Sequence, residues 1–129
     1  MRAILAAAML LAASSAQAEF YDGNKIYPLC EGNKSLIGTY IAGWLDKRGS
    51  DYHSLMMAES VLSNSAKAQA FDSALHQIDA NICIPPGKIS LGQMVDVLCK
   101  HLTEHPETRQ LGMSQQLVTS LSGAWPCRN

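Results

Sequence analysis

The chain has 129 residues, 47% of them hydrophobic, and its 10 Lys and Arg against 11 Asp and Glu leave a net charge of −1 at pH 7. That length suits one ordinary domain, and a near-neutral balance without a basic run or stripe argues against nucleic acid and anionic membrane as partners. One segment is apolar enough to raise the question of a membrane, but it falls short of the roughly 20 residues that a span requires.

That segment is the N-terminus. MRAILAAAMLLAASSAQA carries Arg2, an apolar run from Ala3 to Ala13, a polar shoulder at Ser14 and Ser15, and the small-residue pattern Ala16-Gln17-Ala18. This is the layout of a cleavable export signal, with the cut after Ala18. Glu19 rather than a cysteine follows the cut, which speaks against lipid attachment, and the bacterial style of the signal predicts a periplasmic protein. Removing residues 1–18 from the 129 leaves 111, read as one domain over 19–129. Four cysteines in an exported chain of this size predict two disulfides that reinforce a core rather than replace one.

In chain order, DGNKIYPLCEGN predicts one or two helical turns ending near Cys30. NKSLIGTYIAGWLDKRG then places Leu36, Ile37, Tyr40, Ile41, Trp44 and Leu45 at three- and four-residue spacing, one stripe of a helix. Asn33 is its expected N-cap and Gly49 its expected stop. The next stretch, from Ser50 to Asn81, is less regular. Ala68, Phe71, Leu75 and Ile78 form a stripe, Val61 and Leu62 a weaker one, and Ser63-Asn64-Ser65 predicts a break or cap between two helices. Met56 and Met57 read as core filler in preference to a soft interaction surface.

ICIPPGKIS is a Pro-Gly turn. Ser90 with Gln93 three residues on is a capping box that starts a helix, with Leu91, Met94, Val95, Leu98 and Leu102 as its apolar face. Pro106 ends or redirects it. A last helix is expected from Ser114 to Ala124, with Leu117, Val118 and Leu121 inward and Trp125 closing it. Alternating strand patterns are absent. The sum is a compact all-α single domain of four to five helices stapled by two disulfides.

The residues propose no catalyst and no cofactor. His101 and His105 share a helix face at i, i+4, a workable zinc pair. Cys99 lies about 200° around the helix from His101, so the three cannot converge. HLTEH also lacks the Glu placement of HExxH, so these histidines read as a solvated face near a helix C-terminus and no metal is expected. There is no CxxC, no GxSxG, no phosphate-cradling glycine loop and no obvious carboxylate pair. Nothing here suggests an enzyme.

Four cysteines allow three pairings. If the helix from Leu91 and the last helix form an antiparallel hairpin, Cys127 returns beside the segment carrying Cys83. Cys99, on the inward edge with Leu98 and Leu102, can then meet Cys30 across a helix–helix contact. The favoured pairs are Cys83–Cys127 and Cys30–Cys99.

TYIAGWL in the first long helix, ICIPPGKISLGQMVDVLCKHLTEHPETRQL in the middle and AWPC at the end resemble the resistance-associated-protein/Tai family, periplasmic immunity proteins of type VI secretion systems. The resemblance rests on Tyr40, Ile41 and Gly43; Cys83, Ile84 and Pro85; Gly92 and Gln93; His105, Pro106 and Glu107; and Pro126 with Cys127, in that order over most of the exported chain. Tyr40, Gly43, Pro85, Gly92 and Pro106 are its scaffold residues. The chain departs from the pattern where a family cysteine would fall near Ile37, in having Cys99, and in its long stretch from Asp46 to Ala80. The resemblance implies a protein without chemistry of its own, whose partner is a secreted cell-wall amidase effector that it binds and blocks. A homodimer is left open. Asp46, Lys47 and Arg48, and Glu104, Glu107 and Arg109, both groups polar and both expected at helix ends, are the candidate contact residues. The alternatives are an acid-stress periplasmic chaperone of the HdeA type, which shares the compartment and the helices and would respond to protonation of histidines and carboxylates, or an orphan structural helical protein.

Overall fold

The computed structural model describes residues 19–60, 65–79 and 81–127. Its helices are α1 (Gly23–Glu31), α2 (Lys34–Glu59), α3 (Ser65–Asp79), α4 (Leu91–Glu104) and α5 (Met113–Ala124), with a 3-10 turn at Pro106–Thr108 between the last two. The all-α expectation of four to five helices holds. The expected export signal, the Val61 and Leu62 stripe, the break residues Ser63 and Asn64, and the side chains of Ala68 and Ile78 lie outside the described residues.

Local chemistry explains most of the boundaries. Asp22 caps α1 by accepting from the Lys25 amide at 2.9 Å. The capping box of α4 is formed in both directions: Ser90 Oγ accepts from the Gln93 amide at 3.2 Å, and Gln93 Oε1 accepts from the Ser90 amide at 2.8 Å. The turn before it has Pro85 O accepting from Lys88 N at 3.2 Å. Gly87 takes φ +67° there, the left-handed third position of a type II turn that glycine enters without steric cost.

α4 is the central helix, packed against α1, α2, the 3-10 turn and α5. Met94, Val95, Leu98, Cys99 and Leu102 line its buried side. Ile26 and Cys30 from α1, Ile37 and Ile41 from α2, Ile82, and Met113, Leu117 and Leu121 from α5 complete the core. The two disulfides are Cys30–Cys99 and Cys83–Cys127, the pairing the hairpin argument favours. Beside the second, Cys83 N donates to Trp125 O at 2.8 Å and Ile82 forms a bridge with Pro126.

Several expectations need correction. α2 runs through Gly49 to Glu59. Asn33 stands at the N-cap position of α2 but makes no side-chain capping bond. The less exposed positions of α2 follow the stripe Ile37, Ile41, Trp44, Arg48, Asp51, Leu55 and Ala58. Because two of these are charged, an apolar pattern loses the helix at Gly49, although its inward face continues as the packing surface for α3. Leu36 and Leu91, expected inward, are 54% and 39% exposed. Val118 is only half-buried, while Gln116 and Ser120 take buried places on α5. Met56 and Met57 are exposed, at 43% and 59%, and are not core filler. Among the described residues, none between Ile41 and Ile82 belongs to the buried hydrophobic core.

The N-terminal strap ties the ends together. Met113 N donates to Tyr21 O at 3.0 Å, and Gly23 N and Asn24 N donate to Leu111 O and Arg109 O at 3.2 and 3.0 Å. α5 lacks a side-chain cap of its own at Gly112. Glu19 supplies one from the far end of the chain, its Oε2 accepting from the Ser114 amide at 3.3 Å in the space that a Cβ on Gly112 would claim. Glu19→Ala and Gly112→Ala should therefore each cost about 1 kcal/mol, read as a fall of roughly 4–8 °C in Tm. Both remove the same contact, so the double variant should lose little more than either alone; fully additive losses in thermal melts would show that Glu19 is not the cap.

Candidate functional site

α4 ends in a polar corner. His105 is its C-cap, with its amide donating to His101 O at 2.9 Å. Pro106 lacks an amide hydrogen and restarts the chain as a 3-10 turn. Glu104, His105 and Glu107 stand out to solvent. Glu104 pairs with Lys100 at 3.8 Å and Glu107 with His105 Nδ1 at 3.1 Å. Beside this corner lies a groove of about 430 Å³ between α4 and α5, floored by Val97 and Ser120 and rimmed by Lys100, His101, Glu104 and Thr119.

Under the corner runs a network that local sequence pattern does not reveal. His101 Nε2 lies 3.1 Å from Gln116 Oε1, and Gln116 Nε2 donates to Thr108 O at 2.5 Å. Since that Gln116 nitrogen donates, its oxygen accepts, and His101 is the Nε2–H tautomer. Thr108 Oγ1 donates in turn to His105 O at 3.0 Å. Gln116, 1% exposed, is thus satisfied by the turn and by α4 together. Burial holds the His101 pKa below its ordinary 6.5, and the ring of His105 beside it adds to the effect. The Glu107 carboxyl is held below its ordinary 4.5 by its own backbone amide and by the His105 ring.

Arg109 is fixed differently from the other corner residues. Its guanidinium lies 3.5 Å over the Tyr27 ring and its Nε donates to Leu102 O at 2.6 Å. It fastens the turn to α1 and satisfies a carbonyl at the end of α4.

The other candidate group does not sit at a helix end. Asp46, Lys47 and Arg48 lie in the middle of α2, because the helix continues for more than two turns past Gly49. Asp46 points to solvent, Lys47 is ion-paired with Asp51, and Arg48 reaches back to Ile82 O at 3.5 Å with its charge 6.0 Å from the Trp44 ring. Arg48 therefore braces α2 against the segment that leads into the Cys83 turn.

These two groups are not brought together. α2 and α4 run antiparallel, as the Lys34–Asp96 ion pair and the approach of Gly38 to Leu91 establish. Arg48 thus lies ten residues, roughly 15 Å, beyond the Gly38 approach at the start of α4, and Glu104 lies at the far end of that 14-residue helix of roughly 20 Å. Among the scaffold residues, Tyr40 makes an edge-to-face contact with Tyr21 at 5.9 Å, Pro85 opens the type II turn, Gly92 lies in the first turn of α4, and Pro106 starts the 3-10 turn. A Cβ on Gly43 would meet nothing within 4 Å. Among the described residues no group of three or more His, Cys, Asp and Glu could hold a metal ion, and no helix is long and apolar enough to cross a membrane.

The chain matches the family model of Rap1a immunity proteins over residues 22–127, from the N-cap of α1 to the last disulfide cysteine. No curated protein and no solved structure matches it.

The His101 network sets a pH dependence. A histidine whose folded pKa lies below its unfolded value takes up its proton more readily when unfolded. Its contribution is whole above about 6.5 and is lost as pH falls through the lowered folded value. Stability measured by denaturant melts should decline from pH 7 toward pH 5, and His101→Asn should flatten that decline. A ring titration by NMR that put His101 above 6.5 would contradict the burial argument.

Proposed function

This chain belongs to the Rap1a immunity protein family, and from that membership we propose that it is a periplasmic immunity protein which binds and inhibits a peptidoglycan amidase delivered by a type VI secretion system. The family match over 22–127 is the observation that carries this reading. The protein performs no reaction of its own on this reading; it acts by occupying the effector. The export signal cut after Ala18 delivers it to the compartment where such an effector works.

The structure supports the reading in two ways. Disulfides bind α1 to α4 and the Cys83 turn to the C-terminus, so little conformational freedom remains to be lost on complex formation. Charged groups also stand free of the core at both ends of α4. Asp46 and Lys47 at one end, and Glu104 and Glu107 at the other, are the contact residues. Arg48 and Arg109, whose side chains are committed to Ile82 and Leu102, position the backbone behind each group.

Co-expression tests this directly. Cells exporting the amidase should survive when the full chain is co-produced, and the purified proteins should form a complex by titration calorimetry. Reversing charge at Glu104 and Glu107, or at Asp46 and Lys47, should weaken the complex at least tenfold in one or both pairs while far-UV circular dichroism stays unchanged. Loss of viability despite folded, exported protein would refute the amidase as its target.

A further inference from the structure

The second half of α2 carries a cluster that the immunity reading does not use. His53, Met56 and Met57 lie within one turn of each other, and all three side chains are exposed. Methionine ordinarily fills cores, as Met94 and Met113 do here at 6% and 0% exposure. Met56 and Met57, at 43% and 59%, do not. With residues about 100° apart, Met56 lies about 60° to one side of the His53 direction and Met57 about 40° to the other, one turn higher. Side chains at i, i+3 and i, i+4 have Cβ atoms about 5–6 Å apart, a span that an imidazole and two flexible thioethers can close around one ion.

Among the described residues, the surroundings leave that ion room. The turn before holds Gly49 and Ser50, and a Cβ at Gly49 would meet nothing within 4 Å. The turn after holds Ser60, whose hydroxyl donates to Met57 O. Neither turn sets a Lys or Arg on this face. Among the described residues His53 has no hydrogen bond or ion pair, so both ring nitrogens are open to a ligand.

We propose that His53, Met56 and Met57 form a binding site for a soft monovalent cation of the Cu(I) type. Thioether sulfur selects soft ions, neutral imidazole suits copper, and a set without carboxylate gives hard divalent ions little to hold. The helix fixes the three Cα positions in advance, so binding orders only side chains. The site lies in the stretch between Ile41 and Ile82 that adds nothing to the buried core, which makes conservative variants there compatible with the fold.

The test uses the exported chain with both disulfides intact, labelled at the methionine methyl carbons and titrated with silver nitrate in chloride-free buffer, Ag(I) standing in for Cu(I). The methyl signals of Met56 and Met57 should move together and saturate at one equivalent, while those of buried Met94 and Met113 stay in place. His53→Ala, and separately Met56→Leu with Met57→Leu, should weaken binding at least tenfold, and His76→Ala on α3 should leave it unchanged. Anaerobic competition against bicinchoninate should show the same order of affinities for Cu(I), and Zn(II) should not move the methionine signals. Failure to saturate by ten equivalents, equal binding by the His53 variant, or equal response to Zn(II) would overturn the proposal.

Discussion

The bond between Cys30 and Cys99 decides where everything else can go. It joins α1 to the middle of α4, the helix that touches α1, α2, the 3-10 turn and α5. α1 has nine residues, far below the length at which a helix is stable alone, and buries only Gly23, Ile26 and Cys30. Across a sequence separation of 69, the cross-link removes about 4 kcal/mol of loop-closure entropy from the unfolded chain. With α1 pinned, Tyr27 lies under the Arg109 guanidinium, Arg109 holds the Leu102 carbonyl, and the turn that presents Glu107 is set. The polar corner is thus positioned by a bond that none of its charged groups makes, formed on α4 five residues before Glu104.

The second bond acts at the opposite end. Between Ile41 and Ile82 the described chain leaves the core, as the rest of α2 and then α3, which packs chiefly on α2. Its return is fastened at one place. Ile82 is 4% exposed, its carbonyl meets Arg48, and Cys83 joins Cys127 beside the Trp125 carbonyl. One disulfide therefore locks the core, and the other closes the base from which the long helical excursion departs. Changes on that excursion carry little penalty for the frame, which is why exposed methionines can persist there.

What the sequence made legible follows from the range of the interactions involved. Ser90 and Gln93 are three residues apart, so their capping box could be read directly, and the Pro-Gly turn likewise. The disulfide pairing was legible one step further out, because a hairpin of two adjacent helices fixes which chain ends meet. The continuation of α2 was not, since Arg48 and Asp51 occupy its inward stripe and Gly49 costs about 1 kcal/mol relative to Ala in a helix interior, a loss that packing of α3 offsets. The placement of Asp46, Lys47 and Arg48 at a helix end failed for the same reason. Gln116 could not be found from pattern at all: it is a polar residue in a buried position whose partners, His101 and Thr108, lie 15 and 8 residues away.

The residues on which the family resemblance rests can now be sorted by what they do. Cys83 and Cys127 are the staple, Pro85 opens the turn, Gln93 completes the cap, Pro106 starts the 3-10 turn and Tyr40 stacks edge-on against Tyr21. Each is an element of the frame, so a pattern built on them identifies the fold without describing the surface that meets a partner. Gly43 is different. It is exposed in the middle of α2, where any other residue but proline would favour the helix more, and it adopts no conformation that requires glycine and approaches no neighbour. The frame supplies no reason for it. A bare stretch of backbone on an outward helix face leaves room for another surface to come close, so Gly43, like the exposed Glu107, belongs to the part of the pattern that the frame does not explain.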